Sequence, residues 1–135
     1  MSAGYSGTPL PRKLGIVPGT TVAWTGAPPH FPDLLAPLPA DVRVKARASA
    51  ALDVLVAFFT RRAELERRLP ALRRAIAPVG GCWIAWPKRA SGVPTDITED
   101  VIREIVLPTG LVDVNVCAID ETWSGLKLVI RKELR

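Results

Sequence analysis

The chain has 135 residues, 48% of them apolar, and a net charge of +5 from 18 Lys/Arg against 13 Asp/Glu. That is enough apolar material for one compact core and too much for a disordered chain, and it leaves little room for a second domain. No apolar run approaches the roughly 20 residues of a membrane-spanning helix, and the first residues lack a charged stretch followed by an apolar one. A cytoplasmic single domain over residues 1–135, with no membrane contact, is the expectation.

Residues 1–20 read as an irregular arm, because Gly4, Gly7, Pro9, Pro11, Pro18 and Gly19 disfavour regular structure. A short helical turn over Leu10–Leu14 is expected inside it, with Thr8 as cap. Val22–Trp24 is the first strand, ended by Thr25-Gly26-Ala-Pro-Pro. Phe31–Leu35 is a stub of helix, since prolines at 28, 29, 32, 37 and 39 forbid anything long. Asp41–Lys45 is the second strand.

Asp53–Phe59 is the third strand, followed by a helix over 61–77. Leu65, Leu69, Leu72 and Ile76 are spaced by four, three and four residues, which places them on one buried stripe. Pro70 should kink this helix; Pro78 and the Gly80-Gly81 pair should end it before the fourth strand, Gly81–Trp86. Two unbroken apolar strands joined by an amphipathic helix imply a parallel pair buried on both faces.

Lys88–Thr95 is a loop. Either Asp96, with Glu99 three residues on, or Thr98 caps the next helix. That helix turns Val101, Ile102, Ile105 and Val106 inward and stops at Pro108 and Gly110. Leu111–Ile119 alternates, placing Val112, Val114, Val116 and Ala118 on one face, and Leu126–Lys132 pairs with it as an antiparallel hairpin. The fold expected is α/β: a Rossmann-like three-layer sandwich around a mostly parallel six-stranded sheet. Its order is 2-1-3-4-6-5, with the closing hairpin at one edge and its last strand antiparallel.

The stretch 53–132 resembles the second half of the S-adenosylmethionine-dependent methyltransferase fold. The resemblance rests on the Asp53-Val-Leu-Val strand, the Leu69-Pro-Ala-Leu-Arg-Arg helix, the Ala77-Pro-Val-Gly-Gly turn and the Gly110-Leu-Val-Asp-Val hairpin entry. More of the chain resembles a family of small uncharacterised bacterial proteins, a domain of unknown function. Here the matching pieces are Gly4-Tyr-Ser-Gly-Thr-Pro-Leu, Trp86-Pro-Lys-Arg-Ala-Ser-Gly with Thr95-Asp, and Trp123-Ser-Gly-Leu-Lys-Leu-Val-Ile-Arg. These resemblances imply a reduced methyltransferase-like topology. They also imply a glycine-rich turn after the first strand and an acidic residue ending the second. The chain departs at both: the turn has the single Gly26 with two prolines, and Lys45 and Arg47 follow Val44. A cation cannot accept ribose hydrogen bonds. The cofactor is therefore left unknown.

Open α/β sheets bind ligands beyond the carboxyl ends of their strands. Gly26, Arg47, Thr60, Arg61, Arg62, Trp86, Lys88, Ser91 and Asp96 follow those ends and form the candidate ligand-binding set. Arg61 and Arg62 sit in the first helical turn, the wrong end of the dipole for cations, and a bound phosphate or carboxylate would relieve that. The plainer account is that these arginines bend outward into water. Tyr5, Trp123 and Ser124 form a candidate interaction surface, with Trp123 either projecting from the hairpin or folded back onto the sheet.

No catalytic residue is assigned. Cys82 and Cys117 fall in expected strands as small hydrophobes, and His30 is the only histidine, so neither a nucleophile–base pair nor a metal set stands out. The expected function is a non-enzymatic, methyltransferase-like binding or regulatory protein for an anionic small molecule or a protein partner. The alternatives are a small S-adenosylmethionine-dependent transferase with an atypical cofactor site, and non-specific association with nucleic acid through basic residues.

Overall fold

The computed structural model describes residues 7–135. After a helical turn, α1 (Leu10–Lys13), the chain runs β1 (Thr21–Thr25), α2 (Phe31–Leu35), β2 (Arg43–Val44) and β3 (Leu52–Phe58). It continues through α3 (Arg62–Ala75), β4 (Ile76–Pro87), α4 (Glu99–Val106), β5 (Leu111–Ala118) and β6 (Trp123–Ile130). The six strands form one sheet of order β2-β1-β3-β4-β6-β5. β1 to β4 are mutually parallel, and β6 is antiparallel to both β4 and β5. This is the expected order, with its crossover from β1 to β3.

Each sheet face carries its own core. α3 and α4 bring Leu65, Leu69, Leu72, Ile102 and Val106 onto Leu55, Ala57, Ile84, Leu126 and Leu128. On the other face α1 and α2, with the chain around them, bring Leu14, Ile16, Phe31 and Leu35 onto Val22, Val54, Val56 and Trp83. Burying each such side chain is worth about 1.5–3 kcal/mol. The double-sided burial explains why β3 reads as an unbroken apolar run.

Several local expectations are corrected. α1 is preceded by Pro9 with no side-chain cap, so Thr8 does not cap it. β2 has only two residues, because Asp41 takes a positive φ of 60° and the chain leaves the sheet after Val44. α3 ends at Ala75, two residues early, and passes directly into β4. Ile76, expected on the helix stripe, instead pairs with Leu52. The proline and glycines at 78–81 mark an irregularity inside β4, where the register next resumes at Val54 opposite Gly81.

β5 breaks its own alternation. Val112 lies opposite Val129 and Val116 opposite Leu126, with a register shift between Asp113 and Asn115. Positions 126 and 129 are an odd number apart, so Val112 and Val116 face opposite sides of the sheet. Val114 and Val116 are exposed. No helix among the described residues is long and apolar enough to cross a membrane.

Candidate functional site at the carboxyl edge of the sheet

The carboxyl ends of β1, β3 and β4 meet where the strand order reverses. Gly26, just past β1, has a φ of +69°, and a Cβ there would stand 2.8 Å from the Phe58 carbonyl oxygen. Its missing side chain is thus required by the neighbouring strand. On the α2 side of this edge, Trp24, Phe31, Phe58 and Trp123 stack edge to face in a row, with ring centroids 5.0–5.4 Å apart. Trp123 therefore folds back onto Phe58 and begins β6, and the hairpin link is the preceding residues 119–122. Ser124 lies in the same strand opposite Trp86. Tyr5 is outside the described residues.

On the α3/α4 side the 92–98 segment separates two clefts. One, of about 530 Å³, is lined by Arg61, Ala63, Glu64, Arg67 and Asp96. The other, of about 430 Å³, lies between Trp86, Pro87 and Arg89 on one wall and Val93, Pro94, Thr95, Ile97 and Thr98 on the other. The segment is pinned by its own side chains. The Thr95 hydroxyl donates to the Thr60 carbonyl at 2.6 Å and accepts from the Ile97 N–H. Asp96 Oδ1 accepts from the Arg62 N–H at 2.6 Å.

That last bond relocates Asp96. It does not cap α4, whose cap is Thr98, accepting from the Val101 N–H at 3.1 Å. Asp96 instead places a carboxylate at the start of α3, the position that looked open to an external anion. Arg62 is also committed, to Glu104 at 2.9 Å and Glu66 at 3.7 Å. Lys88 Nζ donates to the Asp120 carbonyl at 2.6 Å, and Ser91 Oγ donates to the Lys88 carbonyl and accepts from the Val93 N–H. Both therefore hold the loop together. Lys45 and Arg47 leave the sheet at the level of Val22, below the end of β1, and Arg47 is exposed on the connection to β3. Of the residues singled out in sequence, Arg61 and Trp86 line the clefts, with Asp96 as a structural carboxylate between them. Arg67, Arg89 and Thr98 join them, placed there by the turn of α3 and by the loop returning beneath β4.

The most specific feature missed in sequence is a pair. His30, ahead of α2, meets Asp120 of the β5–β6 link, Nε2 to Oδ2 at 2.8 Å. A carboxylate only accepts, so Nε2 carries the proton. Asp120 Oδ1 also accepts from the Thr122 and Trp123 N–H groups, each at 2.8 Å. Burial alone would raise the Asp120 carboxyl; the bonds from His30, Trp123 and Thr122 outweigh it and hold it below the ordinary carboxylate range. A carboxyl lowered on folding contributes stability above its unfolded value, near 3.9, and loses it as the pH falls through the lowered value. Asp120→Asn should therefore be less stable than the native chain at pH 7, by a margin that is smaller at pH 2.5. Urea unfolding at the two pH values measures this, and a constant difference would refute the assignment.

The thiols offer no ready nucleophile. Burial pushes Cys82 up to about 12, and burial also raises Cys117 against the pull of Lys13 and Lys88. Two features that the sequence resemblance implies are absent here: a single glycine, Gly26, follows β1, and an exposed lysine rather than an acid follows β2.

No protein-family model and no curated protein sequence matches the chain. Solved structures do. A SAM-dependent methyltransferase from Aquifex aeolicus aligns with a TM-score of 0.65 at 17% identity, over 88% of this chain and 87% of that one. The N-methyltransferase NodS from Bradyrhizobium japonicum aligns with a TM-score of 0.59 at 14% identity, over 91% and 93%. The ribosomal protein L11 methylase from Lactobacillus delbrueckii aligns with a TM-score of 0.58 at 12% identity, over 90% and 75%. At such identities the likeness is one of architecture: the chain has the Rossmann-like fold of the SAM-dependent methyltransferases.

Proposed function

We propose that the chain is a methyltransferase-fold binding protein that takes a small anionic molecule in the cleft between Trp86 and Thr98, without catalysing a reaction on it. The observation that supports this is the composition of the cleft. Trp86, Pro87, Val93, Pro94 and Ile97 give it apolar walls, and Arg89 is its one charged side chain. Arg89 has no acid partner among the described residues. Thr98 Oγ1 accepts the Val101 N–H and keeps its own O–H to donate. A few polar groups converging on an apolar cleft are the usual make-up of a small-molecule site. They suit a ligand with a flat apolar part and a phosphate or carboxylate. The neighbouring cleft suits an anion less well, because Glu64 and Asp96 line it together with Arg61 and Arg67.

The test is an NMR titration with adenosine monophosphate and, separately, inorganic phosphate. Saturable shifts at residues 86–98 are expected. A bond to a charged group is worth about 1.5–3 kcal/mol, so Arg89→Ala should weaken binding about 10- to 100-fold. Arg61→Ala should leave it unchanged. Shifts that persist in Arg89→Ala, or none with either compound at 10 mM, would refute the reading.

A second reading, a SAM-dependent transferase with an unusual cofactor pose, is favoured by the methyltransferases among the structural neighbours. It predicts saturable heat in a calorimetric titration with S-adenosylmethionine, unaffected by Arg89→Ala; under the first reading any heat from its adenine and carboxylate is lost in Arg89→Ala.

A further inference from the structure

The charges of this chain are segregated. Between residues 43 and 74 basic side chains outnumber acidic ones by nine to three, whereas between 96 and 121 acids outnumber bases by seven to one. In space the first group belongs to the β2 edge and α3, the second to α4 and the β5 edge at the opposite end of the sheet. The acids are largely consumed within the fold. Glu99, Asp100 and Asp113 converge on Arg103, Glu66 and Glu104 on Arg62, and Asp120 on His30. The bases are not. Arg43, Lys45, Arg47, Arg67, Arg68 and Arg74 have no acid partner among the described residues.

Three of these six belong to β2 and the connection after it, and three to α3, the neighbouring helix on the same side of the sheet. Arg43 donates to Thr21 Oγ1 at 3.1 Å, and Thr21 shares a sheet face with Ala23, part of the core beneath α3. Arg43 is therefore on the α3 face of the edge strand, and Lys45 follows just beyond its end. Arg68 reaches across to Thr25 Oγ1 at 3.4 Å, which fixes the side of α3 that looks toward β1 and β2. Arg62, on the opposite side, meets α4. Arg67 and Arg74 are exposed on the outer ridge, seven residues or about 10 Å apart. No helix connects β2 to β3, so this face of β1 and β2 is floored by small residues. The connection is Ala46-Arg47-Ala-Ser-Ala-Ala51, with Ala48 packed on the core. Between Arg67 and Arg74 the exposed helix surface is likewise only Pro70 and Ala71.

We propose that this surface docks the sugar–phosphate backbone of a nucleic acid, without sequence preference. Small side chains let a backbone approach closely, and unpaired guanidinium groups around them take phosphates in pairs of hydrogen bonds. A protein partner would need a large apolar or aromatic anchor, and the surface has none: Val44, the exposed apolar residue of β2, points to the other face. A second copy of this chain fits poorly, because its one dense group of acids, at the α4 and β5 end of the sheet, is largely engaged with Arg62, Arg103 and His30. The surface is separate from the Arg89 cleft and stands whether or not that cleft binds an anion.

The experiment is fluorescence anisotropy with a labelled 20-base-pair duplex of mixed sequence, at 20 to 200 mM salt. Binding at 20 mM salt is expected, with log K falling against log salt at a slope of about −4 to −5 if most of the six cations engage phosphates. The variant Arg47→Ala/Arg67→Ala/Arg74→Ala removes three exposed side chains that make no structural bond. It should reduce the slope by about 3 and the affinity at 20 mM salt at least tenfold. The variant Arg12→Ala/Arg131→Ala/Lys132→Ala removes the same charge from elsewhere on the surface and should change the slope by less than 1. Absence of binding at 20 mM salt, or equal loss in the two variants, would overturn the proposal. So would tighter binding of labelled polyglutamate than of the duplex.

Discussion

Replacing Trp83 by alanine should cost about 3–5 kcal/mol, the range for truncating a buried tryptophan. Trp83 is fully buried in the middle of β4 and is the largest such side chain in the protein. Its ring lies against Gly125 of β6: a Cβ at that glycine would come within 3.1 Å of Cε3. Its Nε1–H donates to the Leu14 carbonyl at 3.0 Å, a bond between residues 69 apart in sequence. One side chain thus fills the α1/α2-side core and also fastens the end of α1 to the sheet.

The two roles separate by substitution. Trp83→Phe keeps an aromatic ring but strands the Leu14 carbonyl, so it should cost about 1–3 kcal/mol and expose the 10–16 segment to hydrogen exchange. Trp83→Ala should lower the urea midpoint much further. Equal stability of Trp83→Phe and the native chain would show that the bond to Leu14 contributes nothing. A loss below 2 kcal/mol in Trp83→Ala would show that α1 and α2 repack to close the cavity.

The strands and their order were legible because period and burial are local signals. Leu52–Phe58 is apolar at nearly every position, which only a strand covered on both faces allows, and Leu65, Leu69 and Leu72 repeat at helical spacing. β5 failed because a bulge at Asp113–Asn115 resets the alternation, and nothing in Val-Asp-Val-Asn-Val announces it. The Gly80-Gly81 signal was real, but it marked an irregularity inside β4 and not the end of a helix. The edge was legible as a place, less so as a set of partners. Lys88, Ser91 and Asp96 carry polar groups suited to a ligand, and the fold uses those groups for its own loop and for the start of α3. His30 and Asp120 are 90 positions apart, so only the closed sheet reveals them as a pair.

Gly26 carries the sharpest test of what packing demands at the end of β1. Alanine there meets two penalties. A non-glycine residue at a φ of +69° costs about 1–2 kcal/mol. The Cβ would stand 2.8 Å from the Phe58 carbonyl oxygen, a backbone atom that cannot swing away, which adds an overpacking cost of about 1–3 kcal/mol. Gly26→Ala should therefore lose about 2–5 kcal/mol. Gly19 separates the two penalties, because its φ is +83° and a Cβ there meets nothing within 4 Å. Gly19→Ala should lose only the conformational part, and the difference between the variants measures the contact with Phe58. Phe58 also stacks on Phe31 and Trp123, so a displaced β3 end should disturb that aromatic row and show in near-ultraviolet circular dichroism. If the two glycine variants are equally stable, β1 and β3 can part at their carboxyl ends. The contact with Phe58 would then not be what requires a glycine after β1.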